Sequence, residues 1–165
     1  MKYSAALDSP VGTLTVASDG THITGLWLEG QKYFGVGLDN NALDGTSLPV
    51  IQGAKKWLEG YFQGAKTDYS HIPMLPEGTA YQKAVWDLLR QIPYGETRTY
   101  GQLAAELENT SGRKTSPRAL GSAVGRNPIS ILIPCHRVIG VSGSLTGYAG
   151  GLSRKEFLLR LERRL

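Results

Sequence analysis

The chain opens in period-two alternation. Tyr3, Ala5 and Leu7 share one face of an extended segment, Leu14 and Val16 alternate in the next, and residues 22–28 form a third apolar-rich run. Ser9-Pro10-Val11-Gly12 and Asp19-Gly20 are turn sequences between them, so the first 28 residues predict a three-stranded β-meander. His22 falls on the polar face of the third strand and reads as solvated, as does His71. Residues 29–46, rich in Gly, Asp and Asn, predict a loop. The period then changes. Ile51, Ala54, Leu58, Tyr61 and Phe62 recur at helical spacing up to Gly64, with the aromatics expected in the core. Gly64, Pro73, Pro76 and Gly78 mark residues 64–78 as a connection, and the domain boundary is placed after residue 78.

From residue 79 the pattern is mainly helical. Thr79 with Gln82 makes a capping box ahead of the stripe Tyr81, Ala84, Val85, Leu88, Leu89 and Ile92, which Pro93-Tyr94-Gly95 stops. A second box, Thr99 with Gln102, precedes Leu103, Ala104 and Leu107. After a polar turn at 109–115, Ser116-Pro117 offers an N-cap with proline at the first helical position, and this helix runs through Leu120, Ala123 and Val124 to about Gly125. A third box is expected at Ser153 and Glu156, stapled by Leu152 and Phe157, with Leu158, Leu161 and Leu165 as the stripe. Glu162 on this last helix reads as a surface carboxylate. The predicted architecture is α/β (α+β): a small β-meander plus helix over 1–78, then a mainly helical unit over 79–165 containing a helix-turn-helix.

Composition narrows the partners. A chain of 165 residues can bury one good core, or a small domain beside a larger one. It has no apolar run of bilayer length, so no membrane partner is expected. Met1-Lys2-Tyr3-Ser4 leads straight into strand sequence with no signal-peptide apolar region, and a lone cysteine suits a reducing cytoplasm. Charge is uneven: residues 80–165 hold 13 Lys+Arg against 6 Asp+Glu, residues 1–79 hold 5 against 8, and the whole chain is +4. The basic half suits a polyanion, although a solvated basic surface gives the same count. The second helix of the helix-turn-helix carries Ala119, Gly121, Ser122, Ala123 and Gly125. A major-groove reader needs Arg, Asn or Gln reaching base edges. Small side chains instead suit a helix laid in a minor groove, reading little sequence.

The chemistry centres on Ile131-Leu132-Ile133-Pro134-Cys135-His136-Arg137-Val138-Ile139-Gly140, which holds the only cysteine. Apolar residues carry the chain in and out, and Pro134 interrupts any ladder. A thiol with a pKa near ~8.5 is only a few per cent ionised at neutral pH, and a neighbouring His and Arg would raise that fraction. In an extended segment adjacent side chains face opposite ways, so His136 assists only through a bridging water or a kink at Pro134. A buried structural cysteine is the competing reading.

With Asn127-Pro128-Ile129 before it and Gly147-Tyr148-Ala149-Gly150-Gly151-Leu152 after it, the Pro134-Cys135-His136-Arg137-Val138 string resembles the O6-alkylguanine-DNA alkyltransferases, or methylated-DNA–protein-cysteine methyltransferases. The separated motifs agree in order and spacing over 79–162, and only in general terms before that. The resemblance implies direct-reversal DNA repair. Cys135 takes the alkyl group from an O6-alkylguanine flipped out of duplex DNA from the minor-groove side, and keeps it, so each molecule acts once. It implies a Glu162–His136–water–Cys135 relay, with Asn127 bracing the turn between the recognition helix and the active-site strand. Tyr100 is implied to displace the target phosphate and to offer a proton to the leaving guanine. Arg118 is implied to fill the vacated stack, with Ala119, Ser122 and Arg126 as further DNA contacts. The guanine pocket would use the carbonyls of Cys135 and Val138, the Tyr148 ring and the Ala149 amide. Relatives often have Ser at the Ala149 position, which leaves the amide contact but no side-chain one.

The resemblance further implies a ribonuclease-H-like N-terminal domain and a winged-helix-like C-terminal one, with no cofactor. A zinc site in the N-terminal part is not expected, because no cysteine lies there. The expected partner is double-stranded DNA carrying O6-alkylguanine, with O4-alkylthymine a second candidate lesion, and the protein is expected to be a cytoplasmic monomer. Arg113 and Lys114 either add phosphate contacts or form a solvated loop. Two other classes compete. A Cys-His-Glu hydrolase would turn over through a labile thioester, and leaves the small-residue helix unexplained. A DNA-binding protein without chemistry has no need of the acceptor Cys135.

Overall fold

The computed structural model describes residues 1–38, 40–66 and 71–163; part of the expected 64–78 connection and Leu165 lie outside the described residues. Strands β1 (Tyr3–Leu7), β2 (Leu14–Ser18) and β3 (Ile23–Leu28) form the meander, with Ala5 opposite Val16 and Val16 opposite Leu26. A fourth strand, β4 (Leu43–Asp44), adds parallel to β1 inside the stretch expected to be loop, giving the order β3-β2-β1-β4. Two exposed residues carry no alternation to read, and backbone bonds hold them: Leu43 N–H to Lys2 O and Gly45 N–H to Ser4 O. Helix α1 (Pro49–Phe62) buries Ile51, Ala54, Trp57, Leu58 and Tyr61.

In the C-terminal part come α2 (Ala80–Arg90), β5 (Arg98–Thr99), α3 (Tyr100–Ser111), α4 (Pro117–Gly125), β6 (Val138–Ile139) and α5 (Leu152–Arg163). The first two capping boxes form reciprocally, and Ser116 Oγ accepts from Ala119 N at 3.1 Å. The expected polar turn is shorter than 109–115. Thr110 and Ser111 hydroxyls bond back to Glu106 and Leu107 carbonyls, so α3 absorbs them and ends at Gly112, whose φ of +70° suits glycine. The third box does not form. Lys155 N–H bonds Gly151 O, which makes Gly151 the cap and puts Ser153 inside the helix. Leu152 and Phe157, the expected staple, are 50% and 39% exposed. The buried face of α5 is Lys155, Leu158, Leu159 and Glu162, so Glu162 is not a surface carboxylate.

The two parts share one apolar core. The outer edge of β3 is closed by backbone from elsewhere: Ile23 exchanges bonds with Pro73 and Leu75, and Leu26 with Pro128 and Ser130. A side chain on Gly150 would collide with Leu28 of β3, so glycine permits this close approach. The short parallel pair β5–β6 sets the start of α3 beside the segment leaving Cys135. Trp86 Nε1 donates to Ala123 O at 2.9 Å and ties α2 to α4.

Candidate active site

Ten consecutive residues, 129–138, are buried, but they do not run as a strand. Ile131 has a φ of +69°, a strained conformation for a β-branched residue, and Cys135–Arg137 is a turn of 3-10 helix after Pro134. Asn127 braces this irregular path. Its Nδ2 donates to Ile133 O at 2.8 Å and its Oδ1 accepts from Ile129 N at 3.0 Å. The expected alternation of faces therefore gives way to a turn, which carries His136 and Arg137 to the same carboxylate.

That carboxylate is Glu162, on the inner face of α5. Its Oε1 accepts from Arg137 Nε at 2.7 Å and from Gly95 N at 3.3 Å. Its Oε2 meets His136 Nε2 at 2.5 Å and accepts from the Tyr61 hydroxyl at 2.6 Å. Burial alone would raise the Glu162 pKa; His136 and Arg137 outweigh it and hold the carboxyl well below the usual range. Burial lowers the His136 pKa against the opposing pull of Glu162. A neutral ring would carry its proton on Nε2 towards Glu162, because a carboxylate only accepts. His136 Nδ1 is buried and has no hydrogen-bond partner among the described residues.

Cys135, 6% exposed, is not pre-ionised. Burial pushes its thiol up, against the Asn127 side chain and the charge of Lys155. The expected help from Arg137 is absent, because its guanidinium is spent on Glu162 and on Ile92 O at 2.7 Å. Lys155 was not anticipated. It is fully buried, donates to Thr146 O and Gly147 O at 3.1 Å each, and burial brings its pKa down to about 8. The available signal was a lysine on the same helical face as Leu158 and Glu162. Tyr61 was placed in the core, where it is, but its hydroxyl reaches Glu162. A buried tyrosine needs such a partner.

A cavity of about 410 Å³ opens over Cys135. It is walled by Tyr100 at the start of α3, by Gly121, Ser122 and Gly125 of α4, and by Tyr148 and Ala149 of the following loop. The Tyr100 hydroxyl donates to Thr146 O at 3.0 Å, and burial raises its pKa. Burial likewise raises that of Tyr148. His136 and Glu162 sit behind Cys135, outside the lining, and Val138 is fully buried in β6. Arg118 and Ala119 are exposed on α4. Arg126 stacks on the ring of Tyr33, 4.0 Å from its centroid, an engagement the sequence did not suggest. Tyr33 has a φ of +61° and lines the cavity with Lys32, whose backbone N–H bonds Ala149 O.

Residues 1–76 match the family described as 6-O-methylguanine DNA methyltransferase, ribonuclease-like domain, and residues 80–164 its DNA binding domain. The chain is 45% identical over 161 residues to the methylated-DNA–protein-cysteine methyltransferase of Haemophilus influenzae, covering 98% of this chain and 86% of that one. It is 42% identical over 165 residues to the protein of that name from Methanosarcina acetivorans, covering 97% of each. Among solved structures it resembles Mycobacterium tuberculosis OGT in complex with DNA, with a TM-score of 0.86 and 40% identity over 98% of this chain and 93% of that one. An O6-methylguanine DNA methyltransferase from Methanococcus jannaschii is similar at a TM-score of 0.68 and 28% identity, over 96% and 93%. The ribonuclease-like sheet and the mainly helical second part are thus those of a known group, and the chain belongs to the 6-O-methylguanine DNA methyltransferase family.

Proposed function

We propose that Cys135 is the acceptor through which this protein repairs O6-methylguanine in DNA, once per molecule. Methyl transfer from DNA to a cysteine is the family's reaction, and Cys135 is the only cysteine in the chain. The observation that carries the reading is the cavity with Cys135 at its floor, His136 and Glu162 behind it, and the small-residue face of α4 at its rim.

O6 lies on the major-groove side of a stacked pair, so a helix in the minor groove reaches it only after the nucleotide is extruded, at a cost of roughly a few kcal/mol. Arg118 on the exposed face of α4 fills the gap, and the base enters the cavity between Tyr148 and α4. Neutral His136 takes the thiol proton at Nδ1 through a bridging water, and Glu162 steadies the imidazolium. The sulfur lone pair then forms the S–C bond as the C–O6 bond breaks, and the electron pair leaves on guanine. Tyr100, with its raised pKa, stabilises that charge by donating a hydrogen bond rather than by giving up its proton outright. The product is a thioether without a carbonyl, which water does not cleave. Ala119 and Ser122 make backbone-close DNA contacts, Arg126 acts through Tyr33, and the carbonyls of Cys135 and Val138 with the Ala149 amide read guanine. The same reading takes O4-alkylthymine as a second lesion, a cytoplasmic monomer as the working form, and two units meeting after residue 78.

Cys135→Ala tests it, with a duplex carrying one labelled O6-methylguanine. The variant is expected to lose all transfer and keep its preference for the lesion duplex. Methyl removal by the variant, or many methyl groups released per wild-type molecule, would replace this reading with a hydrolase.

A further inference from the structure

We infer that Tyr61, on α1 of the N-terminal part, is a positioning residue for the His136–Glu162 pair. The inference rests on Cys135 being the acceptor. Tyr61 is fully buried, and its hydroxyl donates to Glu162 Oε2, the oxygen that also holds His136 Nε2; the hydroxyl lies 3.5 Å from that nitrogen. The ring cannot swing away. It is stacked on Trp57 with centroids 5.2 Å apart, and meets Phe62 and Tyr94 edge-on at 5.3 and 6.3 Å.

A carboxylate oxygen offers two good acceptor directions. With Arg137 and Gly95 on Oε1, the Tyr61 hydroxyl fills the place left beside His136 on Oε2. This has two consequences. The carboxylate plane is locked, so the imidazole stays aimed with Nδ1 free of the protein. Part of the negative charge on Oε2 is also drawn to the tyrosine, so the histidine keeps its own proton and Glu162 does not take it. A helix that contributes no residue to the lining of the Cys135 cavity thereby sets the proton affinity of the relay.

The test is single-turnover methyl transfer at saturating protein between pH 5.5 and 9 for wild type, Tyr61→Phe, Glu162→Gln and the double variant, with DNA affinity and melting recorded. Tyr61→Phe is expected to slow transfer roughly tenfold or more, the scale of a lost charge-assisted hydrogen bond, without weakening DNA binding. The acid limb of its rate profile is expected to move to higher pH, because a carboxylate with one donor fewer holds the imidazolium more tightly. In the Glu162→Gln background the same change is expected to cost nothing further. Incorporating 3-fluorotyrosine at position 61 keeps the packing and strengthens the donor, and should move the limb the other way. A Tyr61→Phe protein that melts lower but keeps the wild-type rate and profile would overturn the inference, as would an equal loss in both backgrounds. Failure of wild type to methylate Cys135 would instead remove the underlying reading, so the two failures are distinct.

Discussion

Glu162 shows how a single residue changes meaning between pattern and fold. On a helical wheel it is one charge among several on a basic helix, yet it accepts from four groups brought in by α1 and two other segments, the loop at Gly95 and the Cys135–Arg137 turn. Its carboxyl is held well below the usual range, so its stabilisation is fully present above the unfolded value of about 4.3 and is lost progressively as pH falls from there towards the lower folded value. Glu162→Gln is expected to lower stability by about 3 kcal/mol at pH 7, the scale of a broken buried ion pair, and the gap should narrow between pH 5 and pH 3. Denaturant titrations at the three pH values measure this. Cys135, His136 and Asn127 were legible because their neighbours in sequence announce them. Tyr61 and Lys155 were not, because their partners lie 101 positions away at Glu162 and across a loop at Thr146 and Gly147.

At the scale of elements, local rules worked where the signal was local. Both Thr–Gln capping boxes and the Ser116-Pro117 start form where the residues stand. They failed where backbone partners decided the outcome, at β4 and at the start of α5, where Gly151 displaced Ser153 as cap. The same reasoning exposes α4 to a test. Its exposed positions are small apart from Pro117 and Arg118, and Ala119 is among them, so Ala119→Glu should leave stability within about 0.5 kcal/mol. It should weaken binding of any duplex, lesion or not, because a carboxylate then faces phosphates at the closest approach. Unchanged affinity in a fluorescence titration at fixed salt would move the DNA surface away from α4.

Across the whole molecule, the order of a sheet-and-helix part followed by a mainly helical part was legible, from alternation over residues 3–28 and helical spacing from Ile51 onward, but their integration was not. Pairing of Leu26 with the segment at 128–130, the Gly150–Leu28 approach, and the Tyr61–Glu162 bond are contacts between distant positions that leave no periodic trace. Because one apolar core runs through both parts, unfolding is expected as a single transition, with calorimetric and van't Hoff enthalpies equal. Two resolved transitions would show that the parts fold separately. The proposed chemistry would depend on this integration, since the Tyr61 hydroxyl of α1 reaches the Glu162 carboxylate behind Cys135. The central claim is tested most directly by intact-protein mass after incubation with a duplex carrying one O6-methylguanine, followed by peptide mapping. One added methyl per protein, on Cys135 and never exceeding one, is the predicted result. An unchanged mass while the lesion duplex is still bound more tightly than undamaged DNA would contradict the account and make the protein a sensor of damage.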